Sequence, residues 1–509
     1  MALLNDTERD FATAVSRLAY VNPFLPERIE WERRALGGEH VPFDAVWHAR
    51  AGEIGENPNE LRIAERAAAL AEALRGRLSG RSRATPVELE LYQDLVAYVL
   101  YYRYQARLFE TVAGEAGRRP DFGFYADFAA DLERFFPPAG RLRPRFDAPH
   151  LFACCFQVRR AFHSIFRSII GGSMPSARLR AQVWQSIFTH DLRRFQQSLY
   201  RRLGDVTTLV TGASGTGKEL VARAIAFSRY IPFDPGARRF GERPEESFFA
   251  LNLSALSPTL IESELFGHRR GAFTGAVADR VGWLEVCPPL GTVFLDEIGE
   301  VDVAIQVKLL RVLEMRAFQR LGDTRTLPFR GKVVAATHRD LAQEMSAGRF
   351  REDLYYRLCS DRVETPTLAE RIRDSPQELA DLVLFLAQRQ VGEESAAELA
   401  GEVIAWIDRG LGRDYPWPGN VRELAQCVSN VLIRHEYRPA VRAAVTSPRQ
   451  ALAEDILSGR LSADEVLDRY CTLIYAETGS YQEAARRLGL DRRTVKARVD
   501  VDLLERLKR

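Results

Sequence analysis

Lysine is almost missing from this chain. Only five of its 71 basic residues are lysine (Lys218, Lys308, Lys332, Lys496 and Lys508), and arginine supplies the rest. That reads as a compositional bias, and it makes each surviving lysine worth locating. Net charge is nearly absent too: 71 basic residues face 69 acidic ones, for a total of +2. This excludes a protein that coats a polyanion along its whole length, although a local basic module fits inside a neutral total. The six cysteines include the adjacent pair Cys154-Cys155 but no Cys-x-x-Cys, and the eight histidines show no metal-ligand spacing. A disulfide framework and a zinc site are therefore not expected, and the thiols read as free in a reducing compartment. No apolar run approaches the roughly 18 residues a membrane helix needs, and the start is polar (Asn5, Asp6, Glu8, Arg9, Asp10). The expectation is a cytoplasmic protein without a membrane segment.

What is present is ordinary globular composition, 46% hydrophobic and 28% charged over 509 residues, enough for about three or four domains. No internal repeat is visible. Residues 1–165 read as mostly helical, with apolar residues at helical spacing in 60–78 and 86–112 and a Pro/Arg break at 137–149. Residues 166–371 alternate short apolar strands with helices, the pattern of a parallel α/β unit. Residues 372–436 are helical again, 437–460 read as a linker, and 461–509 form a compact helical module. The expected fold is multidomain: a mostly α N-terminal domain, an α/β P-loop domain with a helical lid, and a small all-α domain.

Chemistry concentrates in the α/β segment. Gly212, Ala213, Ser214, Gly215, Thr216, Gly217 and Lys218 fit G-x-x-x-x-G-K between a strand (207–210) and a helix (219–226). Glycines let the backbone curl so that its N–H groups face phosphate oxygens, the helix N-terminus adds positive potential, and Lys218 reaches the outer phosphates. Glu219 stands where a hydroxyl ligand for Mg²⁺ is usual, so the metal must depend on other groups. Gly291-Thr-Val-Phe-Leu-Asp296-Glu297 is an apolar strand ending in two carboxylates: Asp296 suits Mg²⁺ and Glu297 suits polarisation of the attacking water. A third strand, from Lys332, ends at Thr337 and His338, placed to sense a terminal phosphate. Arg351 and Arg357 follow it, six residues apart, as candidate arginine fingers.

Between the phosphate loop and the acidic strand lies Gly271-Ala272-Phe273-Thr274-Gly275-Ala276, preceded by Glu262-Ser-Glu-Leu-Phe-Gly-His268. With this GAFTGA motif, residues from about 166 to 436 resemble the AAA+ domain of bacterial enhancer-binding proteins, the activators of sigma-54 RNA polymerase. The resemblance implies that residues 271–276 contact sigma-54 and move with the nucleotide state. It implies that Asn252 is a switch residue holding Glu297, and that Arg351 and Arg357 act on a neighbouring subunit's ATP. It further implies that Ile170 and Gly171 lie on the adenine side, and that Arg422, within Trp417-Pro-Gly-Asn-Val-Arg422, reaches back to the nucleotide. His338 departs from the asparagine of many members, and the lid entrance, Pro366-Thr-Leu-Ala369-Glu-Arg371, lacks the family's usual second proline and additional arginine. ATP, Mg²⁺ and a homo-oligomeric ring, a hexamer by family expectation, belong to the same implication.

At the C-terminus, 481–490 and 491–499 read as the last two of three helices, joined by Gly489-Leu-Asp491, where Asp491 suits an N-cap. Nine basic against five acidic residues over 480–509 give a local excess. Arg492, Arg493, Thr494, Lys496 and Arg498 are the candidate contacts to double-stranded DNA. The module resembles the Fis-type helix-turn-helix domain. The N-terminal third resembles no named sensor. Its 17 aromatic residues between 88 and 166, Tyr98, Tyr101, Tyr102, Tyr104, Phe122, Phe124, Tyr125 and Phe128 among them, read first as a helical core. The alternative is a site for a small molecule or a partner protein. Residues 151–203 hold nine arginines and one acid, Asp191. That is either a solvated helix face or a contact surface for the N-terminal domain or nucleic acid. The whole reads as an ATP-dependent transcriptional activator that remodels the closed complex of sigma-54 holoenzyme. Two competing readings are a nucleotide-switched DNA-binding regulator that does not engage sigma-54, and a remodeller of some other protein.

Overall fold

The computed structural model describes residues 3–42, 57–79, 84–114, 121–137, 142–241, 244–439, 448–457, 459, 461–500 and 503–504. Parts of the expected Pro/Arg break (138–141) and of the expected linker (440–447, 458 and 460) lie outside the described residues. The chain divides into two compact units, Met1–Ala405 with Gly419–Leu432, and Trp406–Pro418 with Ile433–Arg509.

The first unit opens with helices α1 (Asp6–Tyr20), α2 (Glu27–Leu36), α3 (Pro58–Leu78), α4 (Pro86–Ala113), α5 (Tyr125–Phe135), α6 (Ala148–Ser168), α7 (Met174–Phe188) and α8 (Leu192–Gln197). Their starts are written in the sequence. Asn5 with Glu8 and Thr85 with Glu88 make capping boxes, and Asp147 accepts from the His150 N–H, each satisfying donors that a helix leaves open. The aromatic residues are largely core: Tyr98, Tyr104, Phe122 and Phe128 are buried, and Tyr101, Tyr102, Phe124 and Tyr125 pack against them.

A five-stranded parallel sheet follows: β1 (Thr208–Thr211), β2 (Phe248–Asn252), β3 (Thr292–Asp296), β4 (Lys332–Thr337) and β5 (Asp361–Glu364), in the order β5-β1-β4-β3-β2. Every residue of β4 and the first four of β3 are buried, as a sheet covered on both faces requires. In register, Thr211 lies opposite both Thr337 and Glu364, and Asn252 opposite Asp296. The carboxyl ends of β1, β3 and β4 thus finish together, where ligands of open α/β sheets bind.

Helix α9 (Lys218–Phe227) leads off that edge and packs against α6. Gln157 Nε2 donates to the Ser228 carbonyl and Arg160 to the Phe227 carbonyl, 3.0 Å each. A short antiparallel ribbon, Phe233–Asp234 with Arg239–Phe240, carries two rings into the N-terminal core. Phe233 lies 4.7 Å from Phe152, and Phe240 stacks on Phe156 at 4.5 Å. The N-terminal helices and the sheet layer therefore share one packing, and α6 runs unbroken through residues 165 and 166. In the second unit three short helices end the described chain: Ala463–Thr478, Tyr481–Leu488 and Arg492–Arg498. Gly479 and Gly489 close the first two with positive φ of 63° and 66°, a conformation glycine adopts without strain.

Candidate functional site

The loop from Gly212 to Gly217 turns between β1 and α9. Gly212 has φ of 143°, and a Cβ there would lie 2.1 Å from Thr365 Oγ1. Gly215 has φ of 79°, and a Cβ would lie 2.3 Å from the Gly419 carbonyl. Both positions need glycine because neighbouring chain passes so close. That neighbour is the turn opening helix Asn420–Arg434. Asn420 Nδ2 donates to the Ser214 carbonyl at 3.0 Å, Val421 N–H to the Gly215 carbonyl at 3.1 Å, and Arg422 to Ser214 Oγ at 3.0 Å. Thr216 Oγ1 meets Thr365 Oγ1 at 2.7 Å and donates to the Ala213 carbonyl at 2.8 Å.

Lys218 Nζ donates to the carbonyls of Gly212 (3.0 Å) and Ala213 (3.2 Å) and lies 3.9 Å from the Glu297 carboxylate. Burial pulls its ammonium below the usual range, and Arg422 adds to the pull while Glu297 and Asp296 oppose it. Asp296 is pushed up, first by burial and then by the adjacent Glu297 carboxylate. Such a carboxylate, half-buried next to another, gains from a cation. The Glu219 carboxylate faces outward and pairs with Arg223 at 2.8 Å.

Glu297 occupies the left-handed region at φ of 57°, uncommon for a residue with a side chain. One carboxylate oxygen accepts from the His338 backbone N–H (3.1 Å) and ring Nδ1 (2.6 Å). Asn252, the switch residue the resemblance implies, is engaged locally in this structure. Its Oδ1 accepts from the backbone N–H and hydroxyl of Ser254, capping the turn after β2. The structure thus brings Glu297 to His338 and not to Asn252. The buried Thr337 hydroxyl accepts from the Arg339 N–H at 3.0 Å.

Ile170 and Gly171 are gripped by a buried charge set that nothing in the local sequence signals. Arg180 donates to the Ile169 and Gly171 carbonyls (3.0 and 2.9 Å) and Arg371 to the Ile170 carbonyl (2.5 Å). Glu378, fully buried, accepts from Ser173, Ser176 and Arg371. Burial brings Arg180 down to about 10.

Arg351 and Arg357 sit apart from the phosphate loop's partners, on and before helix Glu352–Leu358. Both are solvent-facing; Arg351 pairs with Asp353 (2.6 Å) and Arg357 with Glu314 (3.2 Å). The loop 271–276 is closed by the Gly271 N–H on the Ala276 carbonyl at 2.8 Å, with Gly271 and Gly275 at φ of 82° and 102°. Thr274 is exposed, while the Phe273 ring is half-buried, edge-on to His268 at 4.9 Å. Arg269 bridges Asp279 (2.5 Å) and Asp323 (3.0 Å) beneath the loop.

The arginine-rich stretch splits. Arg178, Arg194, Arg201 and Arg202 are exposed and Arg180 is buried. Arg193 bonds Glu90 and Asp94 of α4 and Ser16 of α1, so it is a contact to the N-terminal helices. Asp94, fully buried, also accepts from Ser16 Oγ (2.7 Å), Tyr20 OH (2.8 Å) and Arg145 (2.8 Å). In the C-terminal unit Asp491 caps the last helix, accepting from the N–H groups of Arg493 and Thr494. Arg492, Arg493 and Lys496 face solvent. The Thr494 hydroxyl is held by Asp491, and Arg498 braces Asp464 and Asp468 of helix Ala463–Thr478 (3.0 and 2.8 Å).

A family model described as Sigma-54 interaction domain matches residues 188–364, the span from the end of α7 to the end of β5. The transcriptional regulatory protein ZraR of Salmonella typhimurium is 40% identical over 302 residues, covering 58% of this chain and 63% of the relative. The Nif-specific regulatory protein of Azotobacter vinelandii is 42% identical over 301 residues, covering 58% of this chain and 53% of the relative. The chain thus spans less than two thirds of the length of these curated relatives. Among solved structures, NtrX from Brucella abortus in complex with ADP aligns with 84% of this chain and 92% of its own at 20% identity and a TM-score of 0.40. Residues 188–364, the span that holds the phosphate loop, the acidic strand end and the loop 271–276, are thus the part of the chain that matches the Sigma-54 interaction domain.

Proposed function

We propose that the protein is an ATP-hydrolysing transcriptional activator of sigma-54 RNA polymerase holoenzyme, acting in the cytoplasm as a ring of identical subunits, a hexamer. Residues 1–165 regulate, 166–371 and 372–436 form the AAA+ ATPase and its lid, 437–460 link, and 461–509 bind double-stranded DNA. One observation carries the reading. The α/β unit gathers Lys218, Asp296 and Glu297 at one sheet edge, Arg422 reaches that edge from helix Asn420–Arg434, and the matched residues 188–364 also present Thr274 at the tip of the GAFTGA loop.

In this mechanism the N–H groups of the 212–217 loop and Lys218 hold the phosphates. Asp296 is the carboxylate that fits Mg²⁺, which supplies neutralisation of phosphate charge when bound. Glu297 orients the attacking water and accepts its proton. His338 fixes the Glu297 carboxylate through two donors, so His338 performs the restraint that the resemblance assigns to Asn252. Arg422, on Ser214, closes the lid side of the phosphates. Arg351 and Arg357 project from the surface, which suits stabilisation of charge on a neighbour's nucleotide and is the support for a ring. Arg492, Arg493 and Lys496 offer free cations to DNA phosphates and base edges, and Arg498 holds the recognition helix to the first helix of the module.

The test is open-complex formation on a sigma-54 promoter with purified holoenzyme and ATP. Glu297→Gln should bind ATP without turning it over and form no open complex. Thr274→Ala should hydrolyse ATP and form none. Normal open-complex formation by Thr274→Ala would remove the loop from its role. ATP-dependent DNA binding with no effect on holoenzyme would favour the regulator that does not engage sigma-54.

A further inference from the structure

The aromatic N-terminal core encloses a cavity of about 170 Å³. Its walls come from the end of α1 and the turn after it, from α4, α6, α7 and α8, and from Arg28 of α2 and Glu60 of α3. Phe24, Phe162, Phe166 and Trp184 form an apolar wall, with neighbouring ring centroids 5.0–6.2 Å apart.

Two arginines line the cavity, and their partners differ. Arg28 is buried and takes two carboxylates, Glu32 at 2.8 Å and Glu60 at 2.5 Å, with the Tyr102 hydroxyl at 3.2 Å. Arg159 has no ion pair among the described residues. Its guanidinium lies over the Phe109 ring at 4.6 Å, and the Tyr101 hydroxyl accepts from it. Neither partner carries negative charge, since burial pushes the Tyr101 phenol well up. Arg159 Nε is buried with no hydrogen-bond partner. The charges of Arg28, Arg159, Glu32 and Glu60 sum to zero, but both carboxylates stand on Arg28. Glu60 feels Arg159 only through space, after burial, Arg28 and Glu32. One turn along α6, burial and then Arg167 and Arg159 hold the His163 imidazole below its usual range, which marks this face as positive. Trp184, 3% exposed, adds a second open donor: its indole N–H has no hydrogen bond among the described residues.

We propose that this cavity binds a small monocarboxylate with an apolar body, its carboxylate on Arg159 and its body against Phe162, Phe166 and Trp184. Both open groups are donors, so the partner they lack is an acceptor. A guanidinium–carboxylate pair makes charge-assisted bonds about twice as strong as neutral ones. The space sets the size: a dry cavity of about 150 Å³ holds benzene, so one ring or a chain of about six carbons fits. Leu192 and Gln196 of α8 line the same cavity, so the occupant touches the helix whose Arg193 holds Asp94.

The test is isothermal titration calorimetry of the full chain with sodium benzoate and sodium hexanoate, each to about 5 mM. At least one acid should bind saturably, one per chain; a tighter benzoate shows that the site takes a ring, a tighter hexanoate that it takes a chain. The uncharged benzamide and hexanamide should bind at least about tenfold more weakly, a comparison that needs no variant. Arg159→Met, which keeps a stem beside Phe109 and removes the charge, should weaken the acid by at least about tenfold and leave mant-ATP binding at the phosphate loop unchanged. Ala97→Leu, which fills the cavity from α4, should weaken acid and amide alike. Circular dichroism confirms that both variants fold. Absence of saturable binding by either acid, amides that bind as tightly as the acids, or an acid affinity indifferent to Arg159→Met or to Ala97→Leu overturns the proposal.

Discussion

Replacing Asp94 by alanine should loosen the N-terminal helices from α8 and the sheet layer. Its carboxylate is fully buried and takes Ser16, Tyr20, Arg145 and Arg193 at once. Ser16 and Tyr20 belong to α1, while Arg193 belongs to α8, beside the sheet layer. Breaking a buried ion pair by removing one partner costs about 3–5 kcal/mol. The arginine side chains are 17% and 29% exposed, so water recovers part of that, and about 3 kcal/mol is the working figure. That is roughly a hundredfold in the equilibrium between docked and undocked helices. Calorimetry should show a melting point lowered by several degrees, and hydrogen exchange should rise in α1 and α8 before the sheet strands. Asp94→Asn, which keeps the shape and loses the charge, should fall between. If Asp94→Ala melts with the parent and exchange in α8 is unchanged, the hub does not hold the two parts together.

Other outcomes follow from the same structure. Lys218→Ala should abolish high-affinity ATP binding, measured by calorimetric titration, because its ammonium is the cation seated on the Gly212 and Ala213 carbonyls beside Glu297. His338→Ala removes one of two donors to Glu297 and should lower turnover about tenfold, the worth of one charge-assisted bond, with ATP affinity kept; turnover within about twofold of the parent would refute the restraint. Burial holds His150 (facing Asp147, Arg201, Tyr230 and the Gln196 carbonyl) and His163 (facing Arg159 and Arg167) below the usual imidazole range. The unfolded chain therefore binds protons first. Stability from this source is complete above about pH 6.5 and is lost as pH falls through the folded values. Melting at pH 7.5 and 5.5 reads it, and replacing both histidines by glutamine should flatten the slope. A chain shortened to begin at residue 166 should aggregate, since it uncovers Phe233 and Phe240, at about 1.5–3 kcal/mol of lost burial each; light scattering checks this.

The parts that were legible in sequence are contiguous. A strand, a glycine loop and a helix, then an apolar strand with two terminal carboxylates, each state their geometry within about ten residues, and the strand register lines up the ends. The cap read at Asp491 is equally local. What stayed hidden is made by residues far apart in the chain. Glu378 reaches Ser173 across 205 positions, Arg193 reaches Asp94 across 99, and the Phe233–Phe240 ribbon enters a core begun before residue 20. Arg498, a candidate DNA contact, likewise pairs with Asp464 and Asp468, 30 or more positions away in the chain. The His338–Glu297 bond was hidden for another reason, since a family expectation pointed at Asn252 instead.

The ribbon that carries Phe233 and Phe240 into the N-terminal core has a bearing on how such proteins diversify. A sensory segment joined only by a tether can be exchanged for another by a single recombination event. Here the unit around the phosphate loop contributes two of the rings that fill the N-terminal core, so any incoming segment would arrive to find those rings without a socket. The two parts must therefore vary together. Changes at Phe122, Phe152 or Phe156 should be matched by changes in the ribbon, and a graft between two such chains should succeed only when the ribbon travels with the helices.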